Sequence, residues 1–446
     1  MMNNTKHKDG WKKTMLLLTA LAAACPAQAQ PGARPAPALQ SKAVDVSAFG
    51  ASPDAQPAQN VAAINKALAE NHRVKITRPG IYRLNDHLTI FSHTTLTCAP
   101  RVVIQQTASV CIIRNAHLLA DVPDSDITIE GGVWDGNYTG HSPGDQVSPT
   151  DLHKALRGVD GEIDAIGVNH FTARNMLIQH CRAFGIQISR CNDVSVSNVR
   201  LDIAKDGIHI NGPGAHFYIA HVSGYTGDDF IALNAWDWVD SSPTAGDITD
   251  VKIAHVTQLA QSPTIRANVN QFGLIKFLAG TRHGQTANIK RVFVTDVHGV
   301  NRYRAFTFLV DRDPREHVSS GPGIVSHVTI AHVAVKTVHS PLLWLGQNIQ
   351  DLAVMDVQVS PASTGPILFV NVGTKTQNLT INGLHMRRPM ANPFDIRGQI
   401  GSLTLSDAQL FGPASDFFTP AVGQIDSLLL SDVTLTPGPP LPVGVK

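Results

Sequence analysis

Two adjacent aspartates, Asp228 and Asp229, stand between a Thr-Gly pair and an apolar-alternating run in the segment TGDDFIALN. On its own, such a pair is typical of a solvated turn. A similar segment, DGIHIN, begins at Asp206, 23 residues before the DFIALN that begins at Asp229. If the two segments are equivalent parts of successive coils of one repeat, their backbones stack about 4.8 Å apart. The three carboxylates would then meet on one outer face.

Such a cluster has the composition of an acid–base site. Three carboxylates so close together cannot all ionise freely, so at least one pKa is expected to rise. One carboxylic acid could then protonate a leaving oxygen while a neighbouring carboxylate activates water. Inverting glycosidases hold the two groups about 6.5–9.5 Å apart. We expect a one-coil offset plus the reach of the side chains to give a separation in this range.

Other side chains around the aspartates suit the recognition of a sugar. By alternation along their strands, His209 and Asn234 point outward, and we expect both to donate hydrogen bonds to a substrate. Trp236 and Trp238, in the NAWDW segment directly after the strand, are expected to offer an aromatic platform for a sugar ring.

The elements that position these residues follow from a repeat that begins near residue 120. The pattern apolar-x-apolar-x-x-apolar recurs at intervals of 23 to 41 residues: VSVSNV at 194, FYIAHV at 217, VKIAHV at 251, VFVTDV at 292, VTIAHV at 328, LAVMDV at 352, LTINGL at 379, LTLSDA at 403 and LLLSDV at 428. Period-2 alternation predicts that each is a short strand, ending near an Asn, Asp, Gly or His. Units of this length without helices are typical of a solenoid. We therefore predict an all-β fold, a right-handed single-stranded parallel β-helix of about ten coils.

A second family of strands lies between the first, and it carries the candidate site. Its members include DAIGVN at 164, FGIQIS at 184, DGIHIN at 206 and DFIALN at 229. Asp164 would lie two coils below Asp206 and is either a substrate-binding residue or a turn residue of its coil. The longest intervals, between 217 and 328, require inserted loops, which we expect to wall a groove beside the double aspartate.

The N-terminal region predicts export and a cap. Residues 1–29 hold a basic segment, a short apolar core and an Ala-x-Ala site, which together indicate a secretory signal peptide. Residues 30–43 are predicted to be a disordered leader, and 44–446 a single β-helix domain. Within that domain, residues 57–71 place Val61, Ile64 and Leu68 on one helical face. We expect this helix to close the open end of the solenoid.

Charge and cysteine content exclude some classes of partner. Removal of the four lysines and Asp9 of the predicted signal peptide leaves 32 basic and 34 acidic residues. A net charge near −2 gives no reason to expect nucleic acid or an anionic membrane as a partner. The cysteine spacing matches no zinc motif, so no metal or cofactor is predicted. In an exported protein, Cys181 and Cys191 either form a disulfide or remain buried thiols.

The sequence resembles the polygalacturonase-like glycoside hydrolases of family 28, within the pectate-lyase-like β-helix superfamily. The resemblance rests on VDVSAFGASPDAQPAQNVAAINKALAE and RPGIYRL in the cap, on IEGGVWDGN at 129–137, and on the Asp-Gly-Ile and Gly-Asp-Asp segments that contain Asp206 and Asp228. It covers most of 44–446 and weakens after about 300. The segment GLIKFLAG is similar to the family's Arg-Ile-Lys motif, with Lys276 at the lysine position and Leu274 in place of the arginine. The family's Gly-His-Gly is missing.

The resemblance implies roles for these residues. Asp228 would be the general acid, Asp206 with Asp229 would act as the base that holds the water, and Lys276 would bind substrate. The two departures from the family pattern put galacturonate in doubt as the substrate more than they do hydrolysis.

Three functions remain open at this point. The leading hypothesis is an exported, periplasmic or extracellular glycosidase that cleaves a polysaccharide or oligosaccharide with inversion and without a metal. A second is a polysaccharide lyase on the same fold, with calcium bound by the aspartate cluster. A third is a non-catalytic β-helix that binds glycans. The sequence gives neither the sugar, nor the linkage, nor the oligomeric state.

Overall fold

The computed structural model describes residues 42–436 with gaps at 139–157, 182, 238–241, 265–271, 283, 302, 310–322, 338–339, 364, 388–389, 391 and 412–423. The predicted signal peptide and all but the last two residues of the predicted leader lie outside the described residues. So does Trp238.

The chain winds through two long parallel sheets, and this confirms the predicted parallel β-helix. The first sheet has 15 strands and the second has 11, and in both the strands that pair come from successive coils. A short antiparallel hairpin, Gly280–Arg282 with Gln285–Ala287, lies within one of the long inserts.

The strands of the first third of the chain are β1 (Val44–Asp45), β2 (Arg73–Ile76), β3 (Gly80–Leu84), β4 (Leu88–Ile90), β5 (Thr95–Gln106), β6 (Ile113–Asn115), β7 (Asp124–Asp135), β8 (Gly161–Ile166), β9 (Val168–Gln179) and β10 (Phe184–Ser189). Those around the candidate site are β11 (Asn192–Ile203), β12 (Ile208–Asn211), β13 (Gly214–Thr226), β14 (Ile231–Asn234), β15 (Ile248–Gln258), β16 (Gly273–Leu278), β17 (Gly280–Arg282) and β18 (Gln285–Ala287). The remaining strands are β19 (Ile289–Asn301), β20 (Arg304–Leu309), β21 (Ile324–Thr337), β22 (Leu343–Gly346), β23 (Asn348–Gln358), β24 (Leu368–Val370), β25 (Lys375–His385), β26 (Phe394–Ile396), β27 (Gln399–Phe411) and β28 (Gln424–Thr436).

The recurring apolar pattern stacks in register in the first sheet. Val194 pairs with Phe217, Phe217 with Val251, and the row continues through every later copy of the pattern to the last one. These positions are buried in the coil interior, except at the last strand, where Leu428 is exposed. An apolar side chain at each step therefore builds one continuous core along the axis.

The prediction that each copy is a short strand was wrong in length. From β11 to β27, the strands of the first sheet run for 11 to 14 residues. The Asn, Asp or His expected near the strand end lies in mid-strand with a left-handed backbone, for example Asn198 at φ 53°, His221 at 55° and His255 at 54°. Short polar side chains tolerate this conformation best. Because every coil bends at the same row, the ladder continues through the bend.

The predicted cap is present as one α-helix, α1 (Pro57–Glu70). A proline suits the first turn of a helix, because the backbone N–H that it lacks would have no partner within the helix at that position. Ile64 and Leu68 are fully buried and Val61 packs partly buried against the same core. This helix covers the first strands, which is where a solenoid otherwise exposes its interior.

The four cysteines of the described residues are buried thiols, which resolves the alternative left open for Cys181 and Cys191. Cys98, Cys111, Cys181 and Cys191 are all buried and none forms a disulfide. The thiol of Cys191 donates to the carbonyl oxygen of Ala165 at 3.1 Å. Among the described residues, no helix has the length and hydropathy needed to cross a membrane.

Candidate active site

The candidate site lies where two strands of the second sheet begin. β12 and β14 pair in register, with Ile208 opposite Ile231 and Asn211 opposite Asn234. This confirms the predicted 23-residue offset. Asp206 and Asp229 precede the two strands at equivalent positions. The backbone N–H of Asp229 donates to Oδ1 of Asp206 at 3.2 Å, so the two carboxylate-bearing turns are directly bonded.

The three carboxylates converge more closely than expected. One oxygen each of Asp206, Asp228 and Asp229 lies within 4.8 Å of the others. The expected separation of about 6.5–9.5 Å is therefore not what these nearest oxygens show. The physical reason is the bond from the Asp229 backbone to Asp206, which draws two turns together, while Asp228 shares the turn of Asp229.

Asp229 is paired with a lysine from the next coil. Lys276 lies on β16, where it pairs in register with Ala232, and its Nζ is 3.2 Å from Oδ2 of Asp229. Gly273 makes room for this carboxylate, because a Cβ there would lie 2.4 Å from Oδ1 of Asp229. Both charged groups are nearly buried. In this structure the predicted substrate-binding lysine is thus held by an aspartate of the cluster.

Asp228 is the most accessible of the three carboxylates. Its side chain is 28% exposed, against 7% for Asp229 and 5% for Asp206. Lys205, a residue that sequence reasoning missed, has its Nζ 3.8 Å from Oδ2 of Asp228. A substrate that approaches the cluster from solvent would therefore meet Asp228 first.

The environment separates the protonation states of the aspartates. Burial raises the pKa of Asp228 to about 6, and the charge of Asp206 adds to the rise. Burial also raises the pKa of Asp229 to about 8, although the ammonium of Lys276 opposes the change. For Asp206, burial is outweighed by the hydrogen bond and charge of His209, and its pKa is lowered. Below about pH 6, Asp206 therefore stays ionised while Asp228 and Asp229 hold protons.

His209 and Asn234 are buried, which corrects the expectation that they reach a substrate. They are 1% and 0% exposed, respectively. Although both alternate with core residues, His209 is bonded to Asp206 at 2.6 Å and Asn234 donates to Oδ2 of Asp237 at 2.8 Å. The ring nitrogens of His209 and Nδ2 of Asn234 are thus engaged by the protein. Asp237, which is 1% exposed, is a second member of this network that the sequence did not single out.

Trp236 does not form a surface platform. It is 1% exposed and belongs to the buried core. Its ring packs over Gly280, whose added Cβ would lie 3.4 Å from the indole. The expectation fails because the chain turns inward directly after β14, so the alternation of the strand does not extend to this residue.

Asp164 is displaced from the row in which sequence reasoning placed it. In the sheet it pairs with Gln187, which pairs in turn with His209. The strand is GEIDAI and not DAIGVN, because the chain turns at Gly167 and Val168 begins the next long strand. Asp164 is buried and accepts the backbone N–H of Gly161 at 2.9 Å.

Aromatic and basic side chains extend the outer face of the second sheet beyond the aspartates. Lys276, Thr307, Trp344 and Phe369 follow one another in register. The rings of Trp344 and Phe369 lie 4.3 Å apart, and the guanidinium of Arg304 lies 3.6 Å above the Trp344 ring. We call Arg304, Trp344 and Phe369 the aromatic row. A ladder of aromatic residues at coil spacing was the signal available in the sequence.

The cluster could geometrically hold a cation, since three carboxylate oxygens lie together. Calcium, however, takes six to eight oxygen ligands and is favoured by uncompensated carboxylates. Here Lys205, Lys276 and His209 already place a nitrogen beside each of the three aspartates. The donor set therefore fits a calcium ion poorly.

Comparisons with known proteins bear on the fold. No family model matches the sequence, and no curated protein sequence matches it either. Among solved structures, the catalytic unit of a GH87 α-1,3-glucanase from Streptomyces thermodiastaticus is 16% identical, with a TM-score of 0.50 over 88% of this chain and 68% of that one. This likeness supports the β-helix fold.

Two further solved structures are similar to this chain with lower TM-scores. The polygalacturonase from Erwinia carotovora is 15% identical, with a TM-score of 0.46 over 86% of this chain and 95% of that one. The surface adhesin PfbA of Streptococcus pneumoniae is 12% identical, with a TM-score of 0.44 over 89% and 99%. Because a fold alone does not imply a function, activity has to be argued from the site.

Proposed function

We propose that this protein is an exported glycoside hydrolase that cleaves a polysaccharide or oligosaccharide by acid–base catalysis at Asp206, Asp228 and Asp229. The observation that carries the proposal is the divergence of three adjacent carboxylates, one held ionised and two raised in pKa. Adjacent carboxyl groups with different protonation states are what glycosidic bond cleavage requires.

The general acid in this proposal is Asp228. It is the carboxyl group that solvent reaches, and its pKa of about 6 keeps it protonated at mildly acidic pH. It would give its proton to the leaving oxygen. Asp206, which stays ionised, would remove a proton from the attacking water, and Asp229 would help to hold that water. The hydroxyl ends as the new anomeric hydroxyl, and the Asp206 carboxylate receives the second proton.

We propose inversion as the stereochemical outcome, in keeping with a water-activating base. One observation favours the alternative. The nearest oxygens of the three carboxylates, within 4.8 Å of each other, are closer to the spacing of retaining enzymes, about 5–5.5 Å, than to that of inverting ones. Retention would require Asp206 to attack the sugar directly. Its side chain is 5% exposed and engaged by His209 and the Asp229 backbone, which favours a role as base.

The glycan would lie along the outer face of the second sheet. From the cluster this face continues over Thr307 to the aromatic row, where the half-buried Trp344 lies between the Arg304 guanidinium and the Phe369 ring. Aromatic faces beside polar groups are typical of sugar-binding surfaces.

Two other functions compete with this proposal. A lyase would abstract a proton next to a uronate carboxylate, and the poor fit of calcium to the cluster weakens it. A non-catalytic glycan-binding β-helix would use the same aromatic row, but it has no need for buried carboxylates of opposed protonation state.

The test uses purified protein and its Asp228→Asn variant on a panel of pectic and neutral glycans, with and without a chelator. New reducing ends and the absorbance of unsaturated uronates are both recorded. The proposal predicts reducing ends without unsaturation, insensitive to chelator and lost in the variant. Chelator-sensitive unsaturated products would establish a lyase. Glycan binding that is equal in both proteins, without cleavage, would establish a binding protein.

A further inference from the structure

His209 lies between two buried carboxylates. Its Nδ1 is 2.6 Å from Oδ2 of Asp206, and its Nε2 is 3.4 Å from Oδ2 of Asp237. The ring stacks on Phe184, with centroids 3.9 Å apart and planes within 9°. The imidazole is therefore fixed on both edges and on one face, and at 1% exposure it has no free surface for a glycan.

The charged groups around His209 favour its protonated form. Asp206 and Asp237 are 4% and 1% exposed. Two buried carboxylates need a nearby cation, because an unpaired buried charge is strongly destabilising. Lys276, the other buried cation of the site, lies 3.2 Å from Asp229, and its charge also reaches Asp237 and Asp206.

Uncharged residues also lie beside His209. Gln187 and Ala232 flank it in the sheet. The Nδ2 atoms of Asn211 and Asn234 each lie 3.2 Å from Nε2. These amides would donate to a neutral ring, whereas Asp237 would accept from a protonated one. The two states are thus distinguishable by the proton on Nε2.

We propose that His209 is a positioning residue which, as an imidazolium, bridges Asp206 and Asp237 and thereby keeps Asp206 ionised and correctly oriented. It touches neither the glycan nor the reacting atoms. This inference rests on the proposed function of the aspartate cluster, because it explains why one aspartate of the three remains a base.

The electrostatics agree with this geometry. Burial would lower the pKa of His209, but the hydrogen bonds and charges of Asp206 and Asp237 outweigh it and raise the pKa to about 9. Asp228, Asp229 and Lys276 are further charged groups beside Asp206. The ammonium of Lys276 lowers the pKa of Asp206, and the like charges of the two aspartates oppose this effect. His209 is the strongest force that opposes protonation of Asp206, through its hydrogen bond and its charge.

Two substitutions separate the contacts of His209. In His209→Asn, the amide can replace Nδ1 as a donor to Asp206 but carries no charge. In His209→Gln, the longer amide reaches toward Asp237 and leaves Asp206 without this donor. Phe184→Leu serves as the control, since it removes the stacking and neither hydrogen bond.

The first readout is the pH profile of kcat/KM on a cleaved glycan. Loss of an opposite charge raises a carboxylate pKa by about 1–3 units. The acidic limb of the profile should therefore move up by about that amount in both His209 variants and stay in place in Phe184→Leu. An unmoved acidic limb in both His209 variants, with only kcat reduced, would show a merely structural role.

The second readout does not need activity. In protein labelled with ¹⁵N-histidine, the signals of His209 are identified by their loss in His209→Asn. We expect both ring nitrogens to be protonated at pH 7. A neutral ring at pH 7, with Nε2 accepting from the asparagines, would overturn the inference.

This second readout also separates two kinds of failure. Absence of cleavage by the wild-type protein would refute the proposed function. The protonation state of His209 would still be decided by its ¹⁵N signals. If the His209 variants do not fold, Asp237→Asn replaces them. Its removal of one carboxylate should make His209 lose its proton at a lower pH, and an unchanged titration would contradict the bridge.

Discussion

The substitution Asp228→Asn should stabilise the protein at alkaline pH. In the folded protein, burial raises the pKa of Asp228 from 3.8 to about 6. The folded state therefore binds this proton more tightly than the unfolded chain, and stability is lost as pH rises from 3.8 through 6. At about 1.4 kcal/mol for each pKa unit, the ionised side chain costs about 3 kcal/mol above pH 7. Asparagine carries no such charge.

The variant also loses the contact between Asp228 and Lys205. These two side chains are 28% and 19% exposed, and their charged atoms are 3.8 Å apart. A pair at such distance and partial exposure contributes less than about 1 kcal/mol. The pKa of about 6 already includes the opposing charge of Lys205, so the net change at pH 8 should remain a stabilisation of about 3 kcal/mol.

The assay is thermal unfolding at pH 4 and pH 8, with Asp206→Asn as the matched control. Asp228→Asn should raise Tm at pH 8 and change it little at pH 4. Asp206 has a lowered pKa, so its ionised form stabilises the fold above pH 3.8. Its asparagine variant should lose Tm at pH 8. A lower Tm for Asp228→Asn at pH 8 would refute the assignment of a strained, functional carboxylate.

Three further predictions concern activity on a cleaved glycan. Gly273→Ala should lower kcat at least tenfold while the fold persists, because its Cβ would lie 2.4 Å from Oδ1 of Asp229. A kcat equal to that of the wild type would show that the placement of Asp229 is not needed. Trp344→Ala should raise KM more than it lowers kcat, since it removes the ring that holds the Arg304 guanidinium on the proposed glycan-binding face. Phe293→Ala, at an exposed position of the opposite sheet, is the control and should change neither. The wild-type pH profile should fall above about pH 6, where Asp228 loses its proton; a plateau up to pH 8 would exclude this residue as the acid.

The features that repeat were predictable from the sequence. The stacked apolar row, the 23-residue offset between Asp206 and Asp229 and the capping helix all follow from period and spacing. In a solenoid, equivalent positions of successive coils stack on one another. A sequence pattern that recurs in several coils therefore predicts which residues pair between neighbouring coils. The length of the long strands was missed, because a left-handed Asn or His resembles a strand end in sequence and is a bend in the structure.

The surroundings of the site were less predictable. His209 and Asn234 were placed on the correct side of the strand, but alternation says nothing about what covers a side chain from outside. Trp236 follows a strand by two residues and enters the core through a turn that has no sequence period. Asp164 was shifted in register by three residues, because a D-x-I-x-V-N match spanned the turn at Gly167. Asp237 comes from a non-repeating position.

The most direct test of the account is cleavage in ¹⁸O-water, followed by mass spectrometry and early-time NMR of the products. Acid–base hydrolysis through Asp206 and Asp228 predicts one ¹⁸O at each new reducing end, with the anomeric configuration opposite to that of the substrate. A labelled product of unchanged configuration would assign Asp206 the role of nucleophile and contradict its role as base. Unlabelled products, of which one fragment from each cleavage is unsaturated and lighter by one water, would contradict hydrolysis altogether.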